Sequence, residues 1–334
     1  MVNSDIDTVQ YISTPSMIAG YDLIQEKLAL VEEMLVAEQS GQPSMLSDAA
    51  VQLLQAGGKR IRASLNLLSA AVFDENLENS ISLAAGVEML HTATLVHDDI
   101  IDGSVQRRGR PTLNANLDPK LSVLIGDYFF ARAANLVAET NNLDIMKQFS
   151  KTLMTILSGE VNQQLTRWQI DRQSYFDRIY AKTGAMFVLA ARSAALLAGA
   201  DKTSLSAMER YGYYTGIAFQ VVDDVLDFNS SQERLGKPVG SDLREGIFTL
   251  PALIYAEQYP DDQLFKRIQE SQDANHPAIE DLITAIRSSD VTEQALEEAA
   301  DLIARGKGAL LEVPYSPYTD ALSSLADSVV NRCA

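Results

Sequence analysis

The sequence predicts an all-α protein that folds as a single helical domain. No proline lies between Pro119 and Pro238, and that stretch is rich in Ala, Leu, Met and Gln, a composition typical of successive long helices. Strand-like alternation flanked by paired turn signals is scarce throughout the chain. Hydrophobic residues make up 46% of the 334 residues, so the chain can enclose a large core.

The N-terminal part is predicted to contain a loose start and three helices. Residues 1–16 are expected to be flexible, as chain ends often are. A helix over 17–39 should end at the Gly-Gln-Pro run of residues 41–43, because Gly and Pro both interrupt helices. A short helix over 49–55 leads into a glycine pair, and the next helix begins near Ile61.

The longer helices follow from the middle of the chain. A helix over 80–102 should end before Gly103, since glycine readily adopts the left-handed conformation that closes a helix. Polar loops are predicted over 103–119 and 229–246. The other predicted helices cover residues 121–140, 145–167, 174–200 and 204–228, and further helices after residue 251 are broken near 275–277 and 313–314.

Charge and cysteine content restrict the classes of function. The net charge is -18, from 45 acidic and 27 basic residues, which argues against binding nucleic acid or an anionic membrane surface. The single cysteine, Cys333, excludes a disulfide within the chain and fits a reducing, cytoplasmic setting. The N-terminus lacks the pattern of a signal peptide. The apolar stretch 185–200 contains Arg192 and is short for a membrane span, so no transmembrane segment is expected.

Two acidic clusters share the pattern Asp-Asp-x-x-Asp, at residues 98–102 and 223–227. Helical residues four positions apart lie about 40° apart around the axis, so the first and last Asp of each cluster present their oxygens on one face. Carboxylates in such apolar surroundings are costly to bury without a positive charge. Two faces of this kind, opposed across a bundle, could hold hard divalent cations such as Mg2+. The alternative is a pair of acidic helix ends.

One polar residue before each cluster lies two helical turns from one of its aspartates. His91 lies seven residues before Asp98, which is nearly two helical turns, and Gln220 lies seven before Asp227. Each therefore shares a face with its cluster. A single helical histidine is usually structural, so a ligand role and a packing role for His91 both remain open. His97 is interpreted as a packing or hydrogen-bonding neighbour.

Basic residues accompany the clusters. The run Gly-Gly-Lys-Arg-Ile-Arg at 57–62 places three cations at a helix start, where backbone N–H groups favour anions. The run Arg-Arg-Gly-Arg-Pro at 107–111 follows the first cluster, and Arg binds phosphate through two donors. Both runs could also be solvated surface charges forming weak ion pairs. A role in the site and a plain surface position both remain open for Lys182, Thr183 and Lys237.

Other chemistries find no support in the motifs. The chain has no phosphate loop of the Walker type, no dinucleotide-binding glycine pattern and no zinc-ligand cluster. The clusters do not match a calcium-binding EF-hand loop, and the Glu and Glu-x-x-His pairs of di-iron bundles are missing.

These motifs resemble those of the trans-isoprenyl diphosphate synthases, also called polyprenyl synthetases. They are GGKRIR at Gly57, HDDIIDGSVQRRGRPT at His97, KTGAMF at Lys182, FQVVDDVLDF at Phe219 and GKPVGSDLREGIFTLP at Gly236. The likeness covers nearly the whole chain, from about Ile24 to Arg332. One departure is Ala63, where the family usually has Pro; it predicts a slightly looser turn and no lost ligand.

The resemblance implies a fold and a reaction. The fold is an all-α, single-domain bundle around a deep central cavity, the isoprenoid synthase type, with the catalytic domain over 17–334 and a homodimer as the assembly. The activity is that of a prenyltransferase, which joins isopentenyl diphosphate to an allylic diphosphate with Mg2+ as cofactor. Bound cations and fixed positive side chains would stabilise the charge on the leaving diphosphate.

The resemblance also implies roles for single residues. The expected Mg2+ ligands are Asp98, Asp102 and Asp223, supported by Asp99, Asp224 and Asp227. The positions that match the isopentenyl diphosphate side are Lys59, Arg62, His91 and Arg108. Those that match the allylic side are Arg107, Lys182, Thr183, Gln220 and Lys237. Oxygen dipoles for the carbocation are expected from Thr183 and Gln220.

Product length is expected to depend on the residue five positions before the first Asp cluster. In the family a bulky aromatic side chain there blocks the growing tail, and here the residue is Ala93. An open tunnel predicts a product of about thirty carbons or more, since each added unit buries further apolar carbon. Alternatives are a geranylgeranyl diphosphate synthase, a non-catalytic subunit of a heteromeric synthase, or a terpene cyclase. Intact clusters argue against the second, and the motifs for a second diphosphate argue against the third.

Overall fold

Helices account for nearly all regular structure in the part of the chain that the structure describes, which confirms the all-α prediction. This structure is a computed structural model, and it describes residues 20–37, 42–55, 58–74, 76–107, 109–229 and 238–333. The predicted flexible segment 1–16 and the predicted site residues Arg108 and Lys237 lie outside the described residues.

Sixteen α-helices occur within the described ranges. They are α1 (Gln25–Val36), α2 (Ser44–Gln55), α3 (Ile61–Ala71), α4 (Glu78–Ile101), α5 (Leu113–Asn116), α6 (Pro119–Ala138), α7 (Leu143–Leu165), α8 (Arg172–Ile179), α9 (Ala185–Leu197), α10 (Lys202–Asn229), α11 (Ser241–Arg244), α12 (Leu250–Gln258), α13 (Gln263–Ser271), α14 (Pro277–Arg287), α15 (Val291–Ala309) and α16 (Pro317–Val330). A π-helical turn, Tyr180–Gly184, joins α8 to α9. Short 3-10 turns occupy Tyr21–Leu23, Leu310–Glu312 and Asn331–Cys333.

The core is formed by long helices that pack side by side. Helix α4 packs along α6, α10 packs on α9 and α15, and α3 contacts both α4 and α9. Their apolar side chains form one continuous buried cluster. Gly86 allows α4 to approach α6 closely, because a Cβ atom there would lie 2.7 Å from a methyl group of Val137. This packing fixes the ends of α4 and α10, where the two acidic clusters lie.

Most predicted boundaries agree with the structure. Helix α4 ends at Ile101, and Gly103 adopts φ +61°, as predicted for its closing glycine. The predicted breaks near 275–277 and 313–314 separate α13 from α14 and α15 from α16. The first helix starts at Gln25 instead of residue 17, because left-handed Gly20 and a 3-10 turn precede it.

Three predictions of local structure were incomplete. The single helix predicted over 174–200 is α8, a π-helical turn and α9, so the helical path continues but its hydrogen bonding changes at Tyr180–Gly184. The predicted loop 103–119 contains an antiparallel ribbon, β1 (Gln106–Arg107) with β2 (Arg110–Pro111). It also contains α5, which is capped by the Thr112 hydroxyl. The predicted loop 229–246 contains α11.

Two helices bear on the membrane prediction. Helix α9 is almost entirely buried, and its Arg192 pairs with Glu209 at 3.0 Å, so it is a core helix as interpreted from the sequence. Within the described ranges, Pro119–Ala138 is long and apolar enough to cross a membrane by length and composition alone, with 44% of its apolar window buried. This is weak evidence because core helices of soluble proteins pass the same test. The absence of a transmembrane segment stays a prediction.

Candidate active site

Two adjacent cavities bring the predicted motifs together. The first, here called the acidic cavity, has a volume of about 530 Å³ and is lined by Asp98, Asp102, Asp223, Asp224, Asp227 and Asp242. The second, the basic cavity, has a volume of about 440 Å³ and is lined by Lys59, Arg60 and Arg62. Six residues line both cavities: Arg62, His91, Leu95, Arg107, Phe219 and Arg332. The two spaces therefore share a wall, and groups bound in them would meet there.

The first acidic cluster lies at the C-terminal end of α4. Burial raises the pKa of Asp98 to about 6; Lys182 opposes this shift, and the neighbouring carboxylates of Glu160 and Asp102 add to it. Asp102 is exposed at the mouth of the acidic cavity. Asp98 is thus a mostly buried carboxyl group in which burial and the neighbours Glu160 and Asp102 together disfavour ionisation more than Lys182 favours it.

The middle aspartate of the first cluster has a different environment. Asp99 is buried, and its Oδ1 accepts a hydrogen bond from Arg107 Nε at 2.9 Å. Its side chain lines the basic cavity and not the acidic one. Asp99 therefore orients Arg107, which lies on β1 and reaches both cavities.

In the second cluster, on α10, all three aspartates line the acidic cavity, and each accepts a hydrogen bond from a protein group. Asp223 Oδ1 accepts a hydrogen bond of 2.6 Å from Arg332, and Asp227 Oδ2 accepts one of 3.3 Å from the backbone N–H of Asp242. Asp224 is buried, and its two oxygens accept from Tyr175 and Gln220. Burial, and then the negative charge of Asp242, raises the pKa of Asp224 to about 8.

The π-helical turn carries Lys182 and Thr183 into the acidic cavity. Lys182 Nζ lies 3.5 Å from Glu160 Oε1. Burial lowers the pKa of Lys182, but the nearby carboxylates, first Asp98 and then Glu160, outweigh it and raise the pKa, so the ammonium stays charged. Thr183 Oγ1 donates to Gln220 Oε1 at 2.6 Å, so the structure brings these two candidate residues together.

The basic cavity contains the predicted cations at the start of α3. Partial burial, together with the positive charge of Arg332, lowers the pKa of the exposed Lys59. Arg62 is 8% exposed, and its guanidinium lies 5.3 Å from the centre of the Phe187 ring. His91 lines both cavities, as its position relative to Asp98 predicted.

Two neighbouring details refine the sequence reading. The backbone N–H of Ala63 donates to Glu88 Oε1 at 3.0 Å. The structure thus ties this turn to α4 through an N–H that proline lacks, so the expected looseness is not observed.

His97 packs edge-on against Phe130 at 5.1 Å and lies 3.3 Å from the Val123 carbonyl oxygen. Its interpretation as a packing and hydrogen-bonding neighbour is confirmed.

Sequence reasoning missed three side chains that complete the site. Tyr175 supports Asp224 from behind the cavity wall, and Asp242 lines the acidic cavity. Arg332 comes from the C-terminal 3-10 turn, and its Cζ lies 4.6 Å from the centre of the Phe219 ring. Asp242 lies within the motif that begins at Gly236, whereas no local pattern marks Tyr175 or Arg332, which reach the site from distant parts of the chain.

The residues present fit Mg2+. Within the described ranges, no three acidic or histidine side chains converge on one point. Mg2+ in phosphate-handling sites keeps several waters and takes only one or two carboxylates plus substrate phosphates, so a three-residue cage is not required. Burial raises the pKa of Asp98, and the nearby carboxylates raise it further; a divalent cation bound there would stabilise the ionised form.

Comparisons with known proteins agree with this geometry. A family model described as polyprenyl synthetase matches residues 43–286. The chain is 34% identical to the octaprenyl diphosphate synthase of Haemophilus influenzae, over 98% of this chain and 97% of that protein. It resembles the crystal structure of a heptaprenyl diphosphate synthase from Staphylococcus aureus, with a TM-score of 0.86, 29% identity and coverage of 94% and 98%. It also resembles a polyprenyl synthase from Caulobacter crescentus complexed with calcium and isoprenyl diphosphate, with a TM-score of 0.84, 32% identity and coverage of 94% and 96%.

Proposed function

This chain belongs to the polyprenyl synthetase family, and we propose that it is a long-chain all-trans polyprenyl diphosphate synthase. It is a prenyltransferase that joins isopentenyl diphosphate to an allylic diphosphate, head to tail. The observation that carries the proposal is the pair of adjoining cavities, one acidic and one basic, with a shared wall. A reaction that joins two diphosphates needs two anion sites whose organic parts meet.

The acidic cavity is proposed to bind the allylic diphosphate. Asp98, Asp102 and Asp223 would hold Mg2+ there, with Asp227 beside them. When bound, the metal supplies positive charge that stabilises the departing diphosphate. Lys182 adds a fixed charge to the same task, and Arg107 lies at the shared wall. The relative from Caulobacter was crystallised with calcium and isoprenyl diphosphate, which supports a divalent cation in this family.

The basic cavity is proposed to bind isopentenyl diphosphate through Lys59, Arg62 and His91, with Arg108 as a further predicted contact. The C–O bond of the allylic diphosphate breaks, and the double bond of isopentenyl diphosphate attacks the resulting carbocation to form a new C–C bond. Loss of a proton from the adduct then restores a double bond. The released diphosphate is the proposed base, because it would be set free next to the reacting carbons and, among the described residues, no side chain stands out for the step.

The product is proposed to be long. The similar proteins are named as octaprenyl and heptaprenyl diphosphate synthases. Ala93 is fully buried on α4 and carries no bulk that would block a growing tail. A geranylgeranyl diphosphate synthase is the alternative product class.

The assembly is proposed to be a homodimer. Exposed apolar residues follow one face of α7 at four-residue spacing, Leu157, Val161 and Leu165, and Leu124 of α6 is also exposed. A second copy of the chain would remove this apolar stripe from water. Light scattering of a Leu157→Glu, Val161→Glu double variant should show a monomer, whereas Leu311→Glu, at an exposed site after α15, should leave the dimer intact. A dimeric double variant would contradict this interface.

The setting is proposed to be cytoplasmic. A single cysteine next to the C-terminus fits a reducing compartment, and both substrates are charged, water-soluble diphosphates at the start of the reaction. Fractionation of cells that express the tagged chain would test the assignment.

The decisive experiment is incubation of the purified chain alone with isopentenyl diphosphate, several allylic diphosphates and Mg2+. The dephosphorylated products are then sized by chromatography. Long all-trans polyprenols are expected. Twenty-carbon products would favour the alternative, a geranylgeranyl diphosphate synthase. Absence of any product from the chain alone would contradict the proposal and favour a non-catalytic subunit.

A further inference from the structure

A chain of three hydrogen bonds runs from the protein interior to the wall of the acidic cavity. Tyr175 on α8 donates its hydroxyl to Asp224 Oδ2 at 2.7 Å. Gln220 Nε2 donates to Asp224 Oδ1 at 2.8 Å, and Gln220 Oε1 accepts from Thr183 at 2.6 Å. Tyr175 is 1% exposed and lines neither cavity, so it acts from behind the wall.

The order of donors and acceptors determines which end of the Gln220 amide faces the cavity side. The Tyr175 hydroxyl donates to one oxygen of Asp224, which leaves the other oxygen to accept from Gln220. On the other side of the amide, the Thr183 hydroxyl donates to the amide oxygen, so each end of Gln220 has its own partner. The amide nitrogen therefore points to Asp224 and the amide oxygen to Thr183.

The Tyr175 ring is itself held in place. The guanidinium of Arg178 lies 5.4 Å from the centre of the ring, and Arg178 donates to the Phe248 carbonyl oxygen at 2.9 Å. A fully buried ring between such neighbours has few other rotamers to adopt. The hydroxyl thus offers Asp224 a fixed donor, independent of what the cavity contains.

We infer that Tyr175 is a positioning residue which, through Asp224, aims the amide oxygen of Gln220 at the place where the allylic carbocation forms. The inference rests on the proposed prenyl transfer, in which that cation needs nearby oxygen dipoles. Dipoles that are oriented before the reaction stabilise a developing charge without the cost of reorganisation. Loss of the Tyr175 hydroxyl leaves Asp224 freer to turn, and the Gln220 amide then samples both orientations.

The experiment compares Tyr175→Phe with a matched control, Tyr211→Phe. Tyr211 is also fully buried, and its hydroxyl donates to the Leu322 carbonyl oxygen at 2.7 Å, away from both cavities. Each variant loses one buried hydroxyl, so both should lose comparable thermal stability. Tyr175→Phe should lower kcat about tenfold, with the KM for isopentenyl diphosphate within about twofold, as expected for loss of one buried hydrogen bond that orients the site. Tyr211→Phe should leave kcat unchanged.

A second readout separates positioning from a purely structural role. An allylic dimethylammonium compound, bound with inorganic diphosphate and Mg2+, mimics the carbocation, and its neutral carbon isostere does not. Tyr175→Phe should weaken binding of the ammonium about tenfold and leave the isostere unaffected. Equal weakening of both ligands, or the same pattern in Tyr211→Phe, would overturn the inference. An inactive wild-type chain would instead overturn the proposed prenyl transfer.

Discussion

Replacing Asp98 by Asn should stabilise the metal-free protein while it removes activity. The pKa of Asp98 is about 6 in the folded protein, against an ordinary value of 3.8 for an aspartic acid side chain. Because the folded pKa is the higher one, the folded protein binds more protons than the unfolded chain, and ionised Asp98 costs stability. The cost is absent below the unfolded pKa and complete above pH 6. At pH 7.5 the difference of about two pKa units corresponds to about 3 kcal/mol.

Asparagine has nearly the same shape as aspartic acid and carries no charge, so Asp98→Asn should recover most of this free energy. Urea unfolding at pH 7.5 with a chelator should give a free energy of unfolding about 3 kcal/mol above that of the wild type, or about 4 °C in Tm. At pH 4 the gain should fall to about 0.5 kcal/mol, because wild-type Asp98 is then protonated.

A control and a ligand test make the reasoning refutable. Asp223→Asn removes a carboxylate that pairs with Arg332, and both side chains are partly exposed, at 35% and 20%. It should lose up to about 1 kcal/mol instead of gaining stability. With Mg2+ and inorganic diphosphate, the wild type should regain its deficit, because ligands that bind only the folded state stabilise it. The reasoning would be refuted if Asp98→Asn did not raise the free energy of unfolding at pH 7.5, or if it raised that free energy equally at pH 7.5 and pH 4.

Three further predictions concern the tunnel, the start of α3 and the C-terminal turn. Ala93→Phe should shorten the product, measured by chromatography; an unchanged distribution would contradict the tunnel assignment. Ala63→Pro removes the N–H that donates to Glu88 at 3.0 Å and should lower the free energy of unfolding by about 1–2 kcal/mol. Unchanged stability would show that this bond contributes nothing. Arg332→Gln frees Asp223 from a bond of 2.6 Å and should tighten Mn2+ binding several-fold, as measured by electron paramagnetic resonance. Weaker or equal binding would mean that the guanidinium does not compete with the metal.

Local pattern was enough to predict the helices and the faces of the acidic clusters. The spacing of Asp98 and Asp102 places both on one face, and His91 shares it, because helical geometry depends only on neighbours along the chain. The same spacing argument placed Gln220 on the face of Asp227, whereas Thr183 became a candidate through the resemblance to the family. The π-helical turn at Lys182 was not predicted, since a change from four- to five-residue hydrogen bonding leaves no clear mark in an apolar sequence.

What the sequence by itself determined is the helical architecture, the composition of the two clusters and the family to which they point. Only the tertiary structure decided which carboxylates face the acidic cavity and which turn to protein donors. Asp224 depends on Tyr175, 49 residues away, and Asp223 on Arg332, 109 residues away. Such contacts arise when helices pack, and packing depends on the shape and burial of many side chains together rather than on any local run.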